Sequence, residues 1–217
     1  MLELAAIFGG SFTLALSGIL TPGPILTVTI AESARRGFKA GPLIISGHAL
    51  LELMVVLAII LGLGAYLKSA LVMGIIASLG GAMLIWLGIG MVRTAGTLSI
   101  GAQSAGDNLE HTPHPFVMGI LASISNPYWT LWWATIGLGY LVAAMKLGLG
   151  GVVIFFLGHI TADFAWYSIV SLGVSRGKAL VKDKTYQMII RFCGLFLLGF
   201  GVWFLVAARG YLARAIL

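Results

Sequence analysis

Residues 41–67, GPLIISGHALLELMVVLAIILGLGAYL, contain no lysine or arginine and one acidic side chain, Glu52. About 20 apolar residues cross the hydrocarbon core of a bilayer as a helix, and this run exceeds that length. Further apolar runs occur at about 6–30, 70–92, 115–143, 150–173 and 188–208. The composition agrees: of 217 residues, 59% are hydrophobic and 9% charged, with a mean hydropathy of +1.05. Soluble domains carry roughly a quarter charged residues, so a soluble fold of this length could not bury so much apolar surface. The sequence predicts an all-α integral membrane protein with six transmembrane helices in the lipid bilayer.

The net charge of +6 does not point to nucleic acid, because the bases sit in short loops between apolar runs. Those bases set an orientation. With the N-terminus outside, Arg35, Arg36, Lys39, Arg93, Arg176, Lys178, Lys182, Lys184 and Arg191 are cytoplasmic, and Lys68, Lys146, Arg209 and Arg214 are outer. Basic loops stay inside, so both termini are expected outside. The opening MLELAAIFGG has Glu3 and no base, unlike a cleaved signal peptide, and reads as part of the first helix. Cys193 is the single cysteine, which leaves no intrachain disulfide and no two-thiol relay. HExxH, GxSxG and P-loop patterns are absent, so neither enzyme activity nor a cofactor is expected.

The polar stretch TAGTLSIGAQSAGDNLEHTPH divides the chain into residues 1–94, a linker 95–114, and residues 115–217. His111 and His114 lie in it and read as solvated. The flanking parts repeat each other. Gly37 recurs as Gly148, Gly47-His48 as Gly158-His159, Glu52 as Asp163, and Gly88-x-Gly90 as Gly199-x-Gly201, always 111 residues apart. Three spans per unit force the second unit to enter the membrane upside down, giving two inverted-topology three-helix repeats. The paired glycines read as helix contacts rather than binding sites.

Each half opens with an interrupted span, at Thr21-Pro22-Gly23-Pro24 and at Ser125-Asn126-Pro127-Tyr128. Proline removes a backbone donor and frees carbonyls that lipid cannot satisfy, so the gap must face protein, water or a solute. Paired interruptions mark the substrate site in inverted-repeat transporters, and these eight residues are the candidate substrate-binding set. Kinks that only shape the bundle are the alternative. Asn126 adds an amide that both donates and accepts. Trp132 and Trp133 either wall a cavity or anchor the helix at the membrane interface.

These motifs resemble the LysE/RhtB amino-acid exporters. SGILTPGPILTVTIAESARRGFKAG is similar to that family's Pro-Gly-Pro break, basic loop and second helix. ISNPYWTLWWATIG resembles its Asn-Pro motif, with Tyr128 where a lysine often follows, and ADFAWYSIVS, with Asp163, resembles its fifth span. The resemblance covers essentially the whole chain. It implies a secondary transporter of the bacterial or archaeal cytoplasmic membrane that exports a small amino acid or related metabolite on a proton or ion gradient.

Glu3, Glu32, Asp107, Glu110 and Asp183 lie near helix ends or in loops. Glu52 and Asp163 instead sit about 11–13 residues inside their spans, roughly 16–20 Å deep at 1.5 Å per residue. A charge there costs at least about 2.5–3.5 kcal/mol, so such residues face a cavity or a partner. His48 and His159 each precede an acid by four residues, on the same helix face. Three roles fit. The acids carry coupling protons or compensate a substrate ammonium, with the histidines as partners. Alternatively, His48, Glu52, His159 and Asp163 hold a divalent metal such as Zn²⁺ or Mn²⁺ in a metal-cation exporter. In the third role each pair satisfies itself and locks helix packing, as in a pure scaffold. Substrate identity and homo-oligomeric state stay open.

Overall fold

The computed structural model describes residues 1–20, 23–62, 69–97, 113–177 and 182–216, and every regular element among them is helical. The helices are α1 (Leu2–Ile19), α2 (Pro24–Arg36), α3 (Ala40–Ile60), α4 (Ala70–Ala95), α5 (Pro115–Ile124), α6 (Pro127–Trp132), α7 (Leu138–Met145), α8 (Gly148–Gly177) and α9 (Asp183–Ile216). One π-helical turn, Trp133–Gly137, joins α6 to α7. Among these, α1, α3, α4, α8 and α9 are long and apolar enough to cross a membrane.

The span 115–143 is broken where the proline motif predicts. Asn126 leaves helical geometry at φ −101° and ψ 98°, Pro127 brings no N–H, and α6 restarts there. The first span is also in two pieces. Gly23 is fully extended, and Pro24 opens α2 at the position where a missing N–H costs nothing. Thr21 and Pro22 of that break lie outside the described residues, as do Lys68, Lys178, His111 and most of the linker.

Helix α9 overruns the expected 188–208 at both ends. Its polar ends lower the hydropathy without interrupting the helix, because Lys184, Gln187, Arg209 and Arg214 are all good helix formers. Its 34 residues span about 51 Å, longer than a hydrocarbon core of about 30 Å. His114 is exposed as expected, and its ring caps α5 by accepting the Phe116 N–H at 3.3 Å.

Helix pairing follows where glycine permits contact. α1 packs along α8, α3 along α5, and α4 along α9, while α2 lies against α3, α5, α8 and α9. A Cβ at Gly47 would collide with the Phe116 carbonyl, and one at Gly158 with the Phe8 carbonyl. Between α4 and α9, Gly81 meets Gly201 and Gly88 meets Gly194. Gly90 and Gly199 have nothing within 4 Å, so one glycine of each sequence pair makes the expected contact and the other does not. The turns into α3 and α8 use positive φ, 81° at Gly37 and 68° at Gly148, a conformation that favours glycine. Leu79, Ile169, Phe192 and Val206 point outward, as expected of a lipid-facing surface.

At the basic end of the bundle, Glu32 lies near a helix end as expected yet is buried. It accepts from Arg36 at 2.6 Å and Arg35 at 3.1 Å, and Arg36 also reaches the Pro113 carbonyl at 3.4 Å. Ser171 of α8 donates to the Phe38 carbonyl at 2.7 Å and accepts the Gly41 N–H at 3.3 Å. These bonds hold the α2–α3 turn against α8.

Candidate functional site

The Gly-His doublets put two histidines at the centre. Gly47 and Gly158 let the crossing helices close on the backbone of α3 and α8, and the next residue in each case, His48 or His159, is buried. One turn further along α3 and α8 stand Glu52 and Asp163, exposed by 1% and 0%. The structure brings all four together.

The contacts cross between the halves as well as running within each pair. Glu52 Oε1 lies 3.1 Å from His48 Nε2 and 3.0 Å from His159 Nε2. Two indoles also donate to the same oxygen, Trp129 at 3.2 Å and Trp133 at 3.1 Å. An indole N–H can only donate, so Oε1 serves them as acceptor. The π turn that begins at Trp133 follows these donors, and Trp129 and Trp133 lie four residues apart on one face.

Asp163 is treated differently. Its Oδ2 is 3.7 Å from His48 Nε2 and 3.6 Å from His159 Nε2, beyond hydrogen-bond reach, and neither of its oxygens has a partner. The expected i,i+4 pairing thus holds as a hydrogen-bonding distance for His48–Glu52 and only as an ion-pair distance for His159–Asp163. The histidines differ too. Ser123 donates its one proton to the Gly119 carbonyl at 2.6 Å, so at 2.7 Å it accepts from His48 Nδ1–H. Nδ1 of His159 has no partner.

Beside this quartet is a cavity of about 290 Å³. Both breaks reach it through Gly23, Pro24, Asn126 and Tyr128, and Trp132 forms part of its wall. Trp133 is fully buried and not at an interface. Asn126 Oδ1 accepts the Tyr128 N–H at 3.1 Å and so caps α6, which leaves the amide nitrogen for other partners. Ser125 is buried, and a Cβ at Gly80 would strike its carbonyl, so α4 presses on this break. Ser125 is not among the described lining residues.

Sequence reasoning missed Trp129, Ser123, Tyr167, Phe200 and Trp203. The spacing of Trp129 and Trp133 was a readable signal. Phe200 and Trp203 reach the cavity from α9, and nothing local in α9 marks them.

The sequence model of one protein family, LysE type translocator, matches residues 16–208. The chain is 23% identical to the chemotactic transduction protein ChpE of Pseudomonas aeruginosa over 205 residues, covering 90% of this chain and 92% of that relative. No solved structure matches it. The family match runs from before the first break to beyond the last cavity residue and takes in the whole quartet: the chain belongs to the LysE type translocator family.

Proposed function

We propose that this multi-pass membrane translocator is a secondary exporter of a small amino acid or related amine-bearing metabolite, in which His48, Glu52, His159 and Asp163 couple transport to protons. The observation that carries this reading is the quartet's position, buried at the wall of a cavity that both helix breaks reach. Intramembrane ionisable groups mark ion and substrate pathways because the bilayer penalises them otherwise. Alternating access needs two units that move against each other, and an inverted repeat supplies them. Three paired features support that repeat. Gly37 and Gly148 share positive φ, Gly47 and Gly158 each receive a phenylalanine carbonyl, and α1–α8 contact mirrors α3–α5. Gly23, Pro24, Asn126 and Tyr128, which line the cavity, would contact the substrate, and the proposed binding set extends to Thr21, Pro22, Ser125 and Pro127 of the same two breaks. The bacterial or archaeal inner membrane, with both termini outside, is the expected setting.

The test is efflux from proteoliposomes loaded with labelled amino acids and amines, driven by an imposed pH gradient. Glu52→Gln and Asp163→Asn are each expected to abolish gradient-driven flux while sparing exchange of substrate for substrate. If both variants retain gradient-driven flux, the proton role is wrong.

A divalent-cation cargo is the second reading. His48, Glu52 and Asp163 each offer a ligand atom within 4.8 Å of the others. Against it, Glu52 Oε1 already faces two indole donors that a metal would have to displace. Zn²⁺ or Mn²⁺ efflux lost in His48→Ala would favour this cargo.

A further inference from the structure

Helix α2 has 13 residues, about 20 Å, too short to cross a hydrocarbon core of about 30 Å. It lies among α3, α5, α8 and α9 and carries Thr27, Thr29, Glu32 and Ser33, all buried. Its first residues, Pro24 and Ile25, line the central cavity, and its last turn ends in Arg35 and Arg36 at the basic end of the bundle. The helix therefore occupies the route between the two. A non-helical joint bounds it on each side, Gly23 in extended geometry and Gly37 at φ 81°.

Two rows of side chains follow this route. On α2 they are Ile25, Thr29 and Ser33, and on α8 Asp163, Tyr167 and Ser171, each row advancing one turn at a time. Ile25, Asp163 and Tyr167 are cavity residues. The rows meet about 12 Å further along, where Ser33 Oγ lies 2.7 Å from Ser171 Oγ. Ser171 gives its one proton to the Phe38 carbonyl, so Ser33 is the donor here, and Ser171 accepts again from the Gly41 N–H. Its proton and both lone pairs are then in use. A Cβ at Gly41 would strike Ser171 and the Tyr167 carbonyl, so α2, α3 and α8 close tightly at this point. Thr29, between the cavity and this bond, is fully buried, and its hydroxyl has no partner. In a permanently dry plug such a hydroxyl is a cost, whereas a passage that fills with water satisfies it.

The far end of the bundle is closed differently. The half-helix after the second break ends in Val142-Ala143-Ala144-Met145, with neither hydroxyl nor charge. It meets α8 through backbone, since a Cβ at Gly151 would collide with the Ala144 carbonyl. Separating those surfaces exposes apolar groups, while separating Ser33 from Ser171 exposes hydroxyls that water can serve.

We propose that α2 is the gate between the central cavity and the basic face of the membrane, latched by the Ser33–Ser171 hydrogen bond and swinging on Gly23 and Gly37. This rests on the reading of the cavity as the transport site and adds the moving part and its latch.

The experiment places a reporter cysteine at Thr29 in the full chain with Cys193→Ala. A charged, membrane-impermeant methanethiosulfonate is applied in turn to each side of membrane vesicles. Thr29→Cys is expected to react slowly, and from the basic face alone. Adding Ser33→Ala or Ser171→Ala is expected to speed that reaction at least five-fold, whereas Thr161→Ala, at an exposed position of α8, leaves it unchanged. A reporter at the far end, Ala144→Cys, is expected to react no faster in Ser33→Ala. Rates that rise at both reporters indicate general loosening and overturn the proposal. So does a Thr29→Cys that never reacts, or one that reacts equally fast with the latch intact. In a second assay Ser33→Cys and Ser171→Cys are joined by oxidation. The crosslink is expected to cut efflux of labelled amino acids and amines from proteoliposomes at least ten-fold until a reductant is added, and undiminished efflux overturns the proposal. The labelling needs no substrate, so a Thr29→Cys that responds as expected in a protein moving none of those solutes upholds the gate and counts against the exporter reading.

Discussion

Glu52 Oε1 accepts from two indoles, Trp129 and Trp133, that no acid-histidine motif predicts. Trp133 is fully buried, so its indole N–H has Glu52 as partner or none. A hydrogen bond to a charged group contributes about 1.5–3 kcal/mol, and Trp133→Phe removes it while keeping the ring. That variant is expected to slow gradient-driven efflux ten-fold or more, whereas Trp86→Phe, on an exposed ring of α4, leaves the rate near wild type in the same vesicles. Ser123 works at the same scale. By accepting from Nδ1–H it fixes the His48 ring, while His159 Nδ1 has no such partner. Two residues that look equivalent in sequence are therefore chemically distinct.

The helices meet where side chains are absent. Gly47 faces the Phe116 carbonyl at a distance that a methyl group cannot share, and the Phe116 backbone cannot swing away as a flexible side chain would. Gly47→Ala must push α3 and α5 apart, at a cost of about 1–3 kcal/mol typical of overpacking. Gly90→Ala, with nothing within 4 Å, is expected to be neutral or to gain the roughly 0.5–1 kcal/mol that alanine brings to a helix interior. Thermal unfolding in one detergent separates them: the midpoint falls for Gly47→Ala and holds or rises for Gly90→Ala. A fall in both would mean that general helix propensity, rather than the contact, sets the response.

At the scale of the molecule, orientation rests on a charge count that the fold itself does not contain. Single cysteines at Arg176 and Arg214, both exposed, would lie on opposite sides of the membrane if the count is right. In a Cys193→Ala background, a membrane-impermeant thiol reagent added to intact cells is expected to label Arg214→Cys and not Arg176→Cys. The reverse pattern would invert the topology and turn the proposed exporter's substrate path around.

The sequence by itself determined a great deal. Apolar length dictated membrane-crossing helices, proline placement dictated both breaks, and the recurrence of Gly-His with an acid one turn on singled out four ionisable residues. These are local properties: hydrophobic length, backbone donors and helical periodicity act within a few residues of one another. The tertiary structure decided which partners those residues take. It sent His159 to Glu52 rather than keeping it for Asp163, and it left Asp163 without a hydrogen bond. It also brought Phe200 and Trp203 of α9 to a cavity between helices distant in sequence. Those outcomes depend on helix rotation and close approach, which are set by the packing of many side chains at once and leave no periodic trace in any single helix.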